Sequence, residues 1–302
     1  MTRERRLRIL RGVAAGGLAM AWVGLLCRGK DGTALTATLF YATPWLLRLI
    51  AGVLAVSVLK HWGFRVMAAT CVFVSLLEGW HSCRLDDVPV VPAGSLTVSV
   101  WNAGRGLDAN PAAWPAVGQS DLSAVVECGN FGADEWKRFT AANPDHEWRR
   151  FDTSTMLGVR GKILSHESLG VHDLFRCHRV KVMLPGHGEL NVVVADVRSQ
   201  PWISREPSLA GILKAAVGDP RAIVLGDFNT PPESRWFRTW HEQGFTLAND
   251  GPHCGFRETW AYGLPLLTLD HVWLGSGWKA LWTERSRHGS DHAMVTCRLG
   301  GG

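Results

Sequence analysis

The chain has 302 residues, 46% of them apolar and 20% charged, with a formal net charge of +5. That length suits one sizeable domain plus an extra segment. No internal repeat or low-complexity tract is present, and the seven cysteines include no CxxC pair or other metal-ligand spacing, which argues against a structural zinc site.

The apolar excess is concentrated near the N-terminus. Arg3, Arg5, Arg6, Arg8 and Arg11 precede an apolar run at residues 12–27, and further runs occupy 36–58 and 64–80. A helix crossing the hydrocarbon core needs about 20 apolar residues, with roughly 17 as the lower end. A bundle of about three transmembrane helices is therefore expected. Arg48 interrupts the second run, where a charge is costly, so it should face a helix partner or snorkel to an interface. Pro44 is expected to kink this helix without destroying it. A cleaved signal peptide is the other reading of the first run, but Cys27-Arg28-Gly29-Lys30 offers no small-x-small cleavage site.

Cytoplasmic flanks are enriched in Lys and Arg, so the basic tail and the Lys60–Arg65 link are expected inside. Much of the positive charge is thus a topology signal and weak support for a nucleic-acid partner. Three spans place everything after Trp80 on the extracytoplasmic side of an integral membrane protein. The basic loop Arg28-Gly29-Lys30 runs against that assignment. Cys27 and Cys71 fall in apolar runs and should pack as small hydrophobes. A disulfide among the other five cysteines stays open. The expected organisation is a membrane segment at 1–83, a linker at 84–95 carrying Asp86, Asp87, Pro89 and Pro92, and a soluble domain at 96–302.

The soluble domain begins with a half-buried strand, since Leu96, Val98 and Val100 alternate with Thr97 and Ser99. Short apolar runs predict further strands at 123–127, 180–184, 190–196, 221–225, 269–274 and 293–299. Helices are expected from Asn110-Pro111, over 133–142, and over 206–217 with Leu209, Ile212, Leu213 and Ala216 on one face. Thr230-Pro231 repeats the cap-plus-proline signature, with Gly244 as the stop. Many strands with interspersed helices predict an α/β (α+β) fold of two packed sheets covered by helices.

Polar residues recur where strands end: Asn102, Glu127, Asp227 and Asn229 follow apolar runs, Asp270 starts one, and Ser290-Asp291-His292 precedes the last. Carboxylates, amides and one histidine collected at one edge are what a hard-metal phosphoester site needs. Individually the residues have plainer readings. Asn102 could cap a turn, and Asp227 and Asn229 could shape a loop.

The spacing and residue types resemble the endonuclease/exonuclease/phosphatase superfamily over about Leu96 to Leu299. The carrying motifs are Val98-Ser99-Val100-Trp101-Asn102, Ala124-Val125-Val126-Glu127, Val224-Leu225-Gly226-Asp227-Phe228-Asn229-Thr230-Pro231, Leu269-Asp270-His271-Val272 and Ser290-Asp291-His292. The resemblance implies a four-layer α/β/β/α sandwich and a phosphodiesterase, nuclease or phosphatase that uses Mg2+ or Mn2+. It implies Glu127, Asn102 and Asp291 as metal ligands. Asp227 would orient or deprotonate water, and Asn229 would donate its amide to a phosphate oxygen. His292 would contact the scissile phosphate, with Asp270 holding its ring. Either Asp227 or His292 could be the base.

Three positions depart from that pattern. Asp196 stands where a phosphate-donating histidine is usual, Val126 where Gln is common, and Gly104, followed by Arg105, where nucleases often have Asp. An acceptor at 196 repels phosphate unless a metal or Arg198 intervenes. Arg105, Arg160 and Arg198 are the candidates to supply phosphate contacts instead. The implied substrate is a phosphate ester of nucleic acid, phospholipid headgroup or sugar, beside membrane lipid, and no obligate protein partner is evident. The alternative is a catalytically weak, membrane-tethered binding module for anionic lipid or glycan on the same fold.

Overall fold

The structure is a computed structural model that describes residues 2–171 and 173–302. Four helices come first: α1 (Arg3–Cys27), α2 (Ala34–Tyr41), α3 (Trp45–Val58) and α4 (Trp62–Ser82). α1 and α4 are each long and apolar enough to cross a membrane. The second apolar run departs from the expected kinked helix. It breaks between Tyr41 and Trp45, and α2 and α3 meet at 70°. Pro44 has no N–H to continue the helix and drives Thr43 out of helical conformation. Thr43 Oγ1 donates instead to the carbonyl of Leu39, closing α2. Bent this sharply, the pair is a broken span or a re-entrant loop.

Small residues let these helices approach. A Cβ on Gly52 of α3 would lie 2.8 Å from the Val72 side chain of α4. Arg48 does face a helix partner. It is buried, donates to the carbonyl of Thr43 at 2.6 Å and pairs with Glu78 of α4, which also meets Arg28 at 3.1 Å. All seven cysteines are free thiols.

The remaining elements run β1 (Cys83–Leu85), β2 (Leu96–Asn102), α5 (Trp114–Val117), β3 (Leu122–Val126), α6 (Ala133–Ala142), β4 (Glu147–Arg150), β5 (Met156–Val159), β6 (Lys162–Ser168) and β7 (Phe175–Leu184). They continue with β8 (Gly188–Val197), α7 (Glu206–Ala216), β9 (Ile223–Asp227), α8 (Arg238–Glu242), β10 (Thr246–Leu247), β11 (Cys254–Phe256), β12 (Asp270–Leu274), β13 (Trp278–Ser286) and β14 (Met294–Gly301). One six-stranded sheet has the order β10-β12-β9-β8-β7-β6 and the other β13-β14-β2-β3-β5-β4.

Period-two alternation sorts the side chains into layers. Val98, Val100, Val192, Val194, Leu225, Val272 and Val295 fill the space between the sheets. The intervening Val193, Val224 and Trp273 pack outward on Leu209 and Ile212 of α7 and on Trp240 of α8. On the opposite side Trp101, Val125 and Met156 pack on Trp114 of α5 and Phe139 of α6. The result is the four-layer sandwich that the motifs implied. Burying each large side chain contributes roughly 1.5–3 kcal/mol before ordering costs.

Two local expectations are corrected. The stretch expected as a linker starts with a strand, because β1 pairs antiparallel with β11 and ties the helical segment to the domain. No helix starts at Thr230-Pro231. Thr230 Oγ1 donates to the carbonyl of Phe228, and Ser234 caps the next turn by accepting from the Trp236 N–H.

Candidate active site

The stripe that fills the sandwich turns polar at one end. Asp196 pairs in register with Asp227 of the neighbouring strand, Asp227 with Asp270, and Arg176 with Asp196. Each lies two residues along its strand from an inter-sheet residue or from another polar residue of the stripe, so all share the inner face. Asn102 ends the equivalent stripe on β2 of the facing sheet. The chain then turns at Glu127, whose φ of 47° is left-handed, as are those of Arg105 (62°) and Asn229 (46°). Such backbone costs about 1 kcal/mol or more for most residues and persists where surrounding contacts fix it.

Asp227 is the hub. Its carboxylate accepts from the Asn229 N–H at 2.8 Å, from Asn229 Nδ2 at 2.9 Å and from Asn102 Nδ2 at 2.8 Å. Asn102 Nδ2 also reaches Glu127 Oε1 at 3.4 Å, and Asn102 Oδ1 accepts from the Gly104 N–H. Across the cleft His292 Nδ1 donates to Asp270 Oδ2 at 2.8 Å, leaving Nε2 as its free nitrogen. Ser290 locks this turn onto β2: its Oγ donates to the Asn102 carbonyl at 2.8 Å and accepts from the His292 N–H at 3.1 Å. Asp291 accepts from Trp260 Nε1 at 3.0 Å. Asn102, Glu127, Asp227, Asn229, Asp291 and His292 line one cleft of about 470 Å³.

Electrostatics follow from this crowding. Burial pushes the Asp227 carboxyl well above the usual range, Asp270 and Asp196 add to the shift, and His292 and the Asn102 amide oppose it. Burial alone would lower His292, but Asp270, Asp227 and Asp291 outweigh it and hold the imidazole well above its ordinary pKa. Burial raises Asp196 to about 6 against the pull of Arg176.

The charge balance leaves room for a cation. Ligand atoms of Asp227, Asp270 and His292 lie within 4.8 Å of one another, and Asp270 Oδ1 is buried without a hydrogen-bond partner. The donors are mostly carboxylate and amide oxygens, which suit a hard ion. Glu127, Asn102 and Asp291, the expected ligands, line the open cleft together with Asp227 and His292, whereas Asp270 is fully enclosed and its other oxygen is committed to His292.

Not every candidate arrives. Arg160 lies at the wrong end of β3, where it pairs with Asp121 at 3.3 Å, roughly 20 Å of strand from Glu127. Arg198 turns to Asp173 at 3.0 Å and does not line the cleft. Arg105 is exposed and pairs with Glu127 at 3.0 Å. The Asn229 amide, expected to donate to phosphate, has Nδ2 engaged here by Asp227 and by the Val197 carbonyl. Its N–H and Nδ2 both donate to Asp227. Asp196 is not among the residues that line the cleft. It holds Arg176 Nη1 at 2.7 Å, while Arg176 Nε lies 3.5 Å from Asp152.

Arg176 was missed in the sequence because the apolar run that marks its strand starts only at Val180. It places a half-exposed guanidinium beside the position where the superfamily pattern has histidine. Arg205 was also missed. It is buried, with Nη1 donating to the Arg198 carbonyl and a further hydrogen bond to Tyr41.

Residues 130–292, more than half of the chain, match the profile of the Endonuclease/Exonuclease/phosphatase family. No curated protein matches the sequence. Among solved structures, an endonuclease/exonuclease/phosphatase from Beutenbergia cavernae is 16% identical, with a TM-score of 0.51 over 69% of this chain and 72% of that one. ANGEL2, a 2′,3′-cyclic phosphatase, is 11% identical, with a TM-score of 0.48 over 68% and 95%. At these identities the first likeness speaks for the fold alone.

Proposed function

We propose, for a chain that belongs to the Endonuclease/Exonuclease/phosphatase family, a divalent-metal-dependent hydrolase of phosphate esters tethered to a membrane. The observation that carries the reading is the single cleft in which Asn102 links Asp227 to Glu127 while the Asp270–His292 pair faces them.

Magnesium or manganese held by Glu127, with Asn102 and Asp291, would offset charge on the phosphoryl group. Asp227, fixed by three donors, orients the attacking water and takes its proton at a carboxylate oxygen. His292 presents Nε2 to the phosphate and passes a proton to the leaving oxygen, while Asp270 fixes the ring through Nδ1. Arg176, braced by Asp196, donates to a phosphate oxygen where the superfamily pattern uses histidine.

Membrane tethering rests on α1, α4 and the bent α2–α3 pair. The end of α1 and the end of α4 meet the soluble domain through Arg28–Glu233 at 3.1 Å and Ser82–Glu258. By chain direction the arginine-rich tail and the α3–α4 link lie at the opposite end. That arrangement supports an extracytoplasmic domain. It also gives Arg28 a reason to sit outside, since Glu78 and Glu233 hold it.

The test is release of nitrophenol from bis-p-nitrophenyl phosphate by the full chain in detergent with Mg2+ or Mn2+. Asp227→Asn and His292→Ala should each lower the rate at least about a hundredfold. A protein that binds the metal but releases nothing would instead be the tethered binding module.

A further inference from the structure

The bend between α2 and α3 brings part of the membrane segment into the cleft. Thr38, Tyr41 and Ala42 form one wall of the space that Asp227 and His292 line from the other side. The contact is built. Asp31, just before α2, accepts from Tyr41 Oη at 2.8 Å and from the Arg235 N–H at 3.0 Å, and Ser234 Oγ also donates to it. On the domain side, Trp45 of α3 donates from Nε1 to Glu258 at 2.8 Å. A span bent by 70° cannot cross a bilayer along both arms, so with α3 packed along α1 and α4, α2 lies along the surface.

The rim of the cleft is apolar on the segments that form its walls. Leu35 stands one helical turn from Thr38 and is 68% exposed. Trp202 follows the lining residue Pro201 and is 64% exposed, while Tyr262 at 70% and Leu264 at 57% project from the loop between the lining residues Trp260 and Leu267. Exposed Trp and Tyr beside a surface-lying helix are the residues that favour a membrane interface. At the seam, buried Arg205 hydrogen-bonds Tyr41, and its charge is also felt by Asp227, which joins the membrane segment to the cleft.

Resting on the hydrolase reading above, we infer that the cleft takes the phosphate ester of a membrane amphiphile, presented headgroup-first from the bilayer on which α2 lies. A duplex needs an open basic surface. Here the arginines at and beside the cleft are engaged by carboxylates: Arg105 by Glu127, Arg176 by Asp196 and Arg198 by Asp173. The phosphate chemistry is the same for a lipid headgroup and a soluble ester, and presentation at the surface distinguishes them.

The experiment places the full chain in phosphatidylcholine vesicles doped with phosphatidylglycerol or phosphatidic acid, with bis-p-nitrophenyl phosphate and duplex DNA as soluble arms. The expected result is lipid hydrolysis with kcat/KM at least about tenfold above either soluble arm. At constant total doped lipid, that rate should fall as phosphatidylcholine is added, because the reaction counts substrate per surface. Ala42→Trp should lower the lipid rate at least about tenfold by filling the wall. Nitrophenol release or DNA cleavage with no lipid hydrolysis, or with a rate indifferent to surface dilution, overturns the inference and leaves the hydrolase reading intact. Failure on all four substrates removes the hydrolase reading itself.

Discussion

His292 Nδ1 and Asp270 Oδ2 lie 2.8 Å apart, with both side chains buried beside the cleft. The carboxylate fixes which ring nitrogen is engaged and which is offered. Asp270→Asn should therefore lower kcat by about 10²–10⁴ with a much smaller change in KM. His292→Ala should cost about as much, and the double variant little more, because the two act as one unit. Steady-state kinetics on bis-p-nitrophenyl phosphate decides; additive losses would separate the pair.

Glu127 is the one cleft carboxylate that is both half-exposed and tied to Asp227 through Asn102. Glu127→Gln keeps the shape and removes the charge. The half-saturating Mg2+ concentration should rise about 10–100-fold, and a chelator should abolish wild-type turnover reversibly. An unchanged metal titration for the variant would move the ion elsewhere.

Arg176 and Asp196 should behave as a coupled pair. Arg176→Ala removes the proposed phosphate donor, whereas Asp196→Ala frees the guanidinium that it holds at 2.7 Å. Each should lower kcat/KM, and a double-mutant cycle should return a coupling of about 1 kcal/mol or more in the transition state. Independent effects would mean that Asp196 does not act through Arg176.

Asp152 gives the fold an acid-side dependence. Burial would raise its pKa, but the hydrogen bond with His178 and the N–H groups of Ser154 and Thr155 prevail and hold it at about 2. A depressed folded pKa contributes stability above the unfolded value of about 3.9, lost as pH falls toward 2. The contribution is on the order of 2 kcal/mol. Thermal melting of Asp152→Asn should lie below wild type at neutral pH, with the gap closing between about pH 4 and pH 2. A gap independent of pH would assign the loss to packing.

The buried Arg48–Glu78 pair predicts an asymmetry in the helical segment. Glu78→Ala strands a buried guanidinium and should cost about 3–5 kcal/mol. Replacing both by methionine should recover most of that, as followed by unfolding in detergent. A double variant as unstable as the single one would contradict the pairing argument.

What the sequence disclosed depended on how local each signal was. Strands buried on both faces, such as Val192–Ala195 and Ala222–Leu225, read as apolar runs because both neighbours of each residue are core. The polar residues at their ends were visible for the same reason. Glu147–Arg150 and Lys162–Ser168 escaped, since an outer strand such as β4 or β6 needs no apolar run. The roles of Asn229 and Arg198 could not be read because they depend on where a side chain turns after its strand ends. Arg176 became meaningful only through register, which pairs it with Asp196 across 20 residues of chain. The 70° elbow was half-legible: Pro44 marked its place, but its angle and the Trp45–Glu258 contact beside it depend on tertiary packing that no local signal carries.

The row Arg176–Asp196–Asp227–Asp270 crosses four adjacent strands, one residue from each. Side chains alternate faces along a strand, so a slip of one residue in any pairing would swing a charged group from the cleft into the outer helical layer. That layer is built largely of apolar side chains such as Val193, Val224 and Trp273. Misaligned sheets would thus be expelled energetically and chemically silent at once. Recovered turnover after refolding is then a gauge of strand alignment, and a preparation's specific activity reports the fraction of molecules whose sheet closed in register.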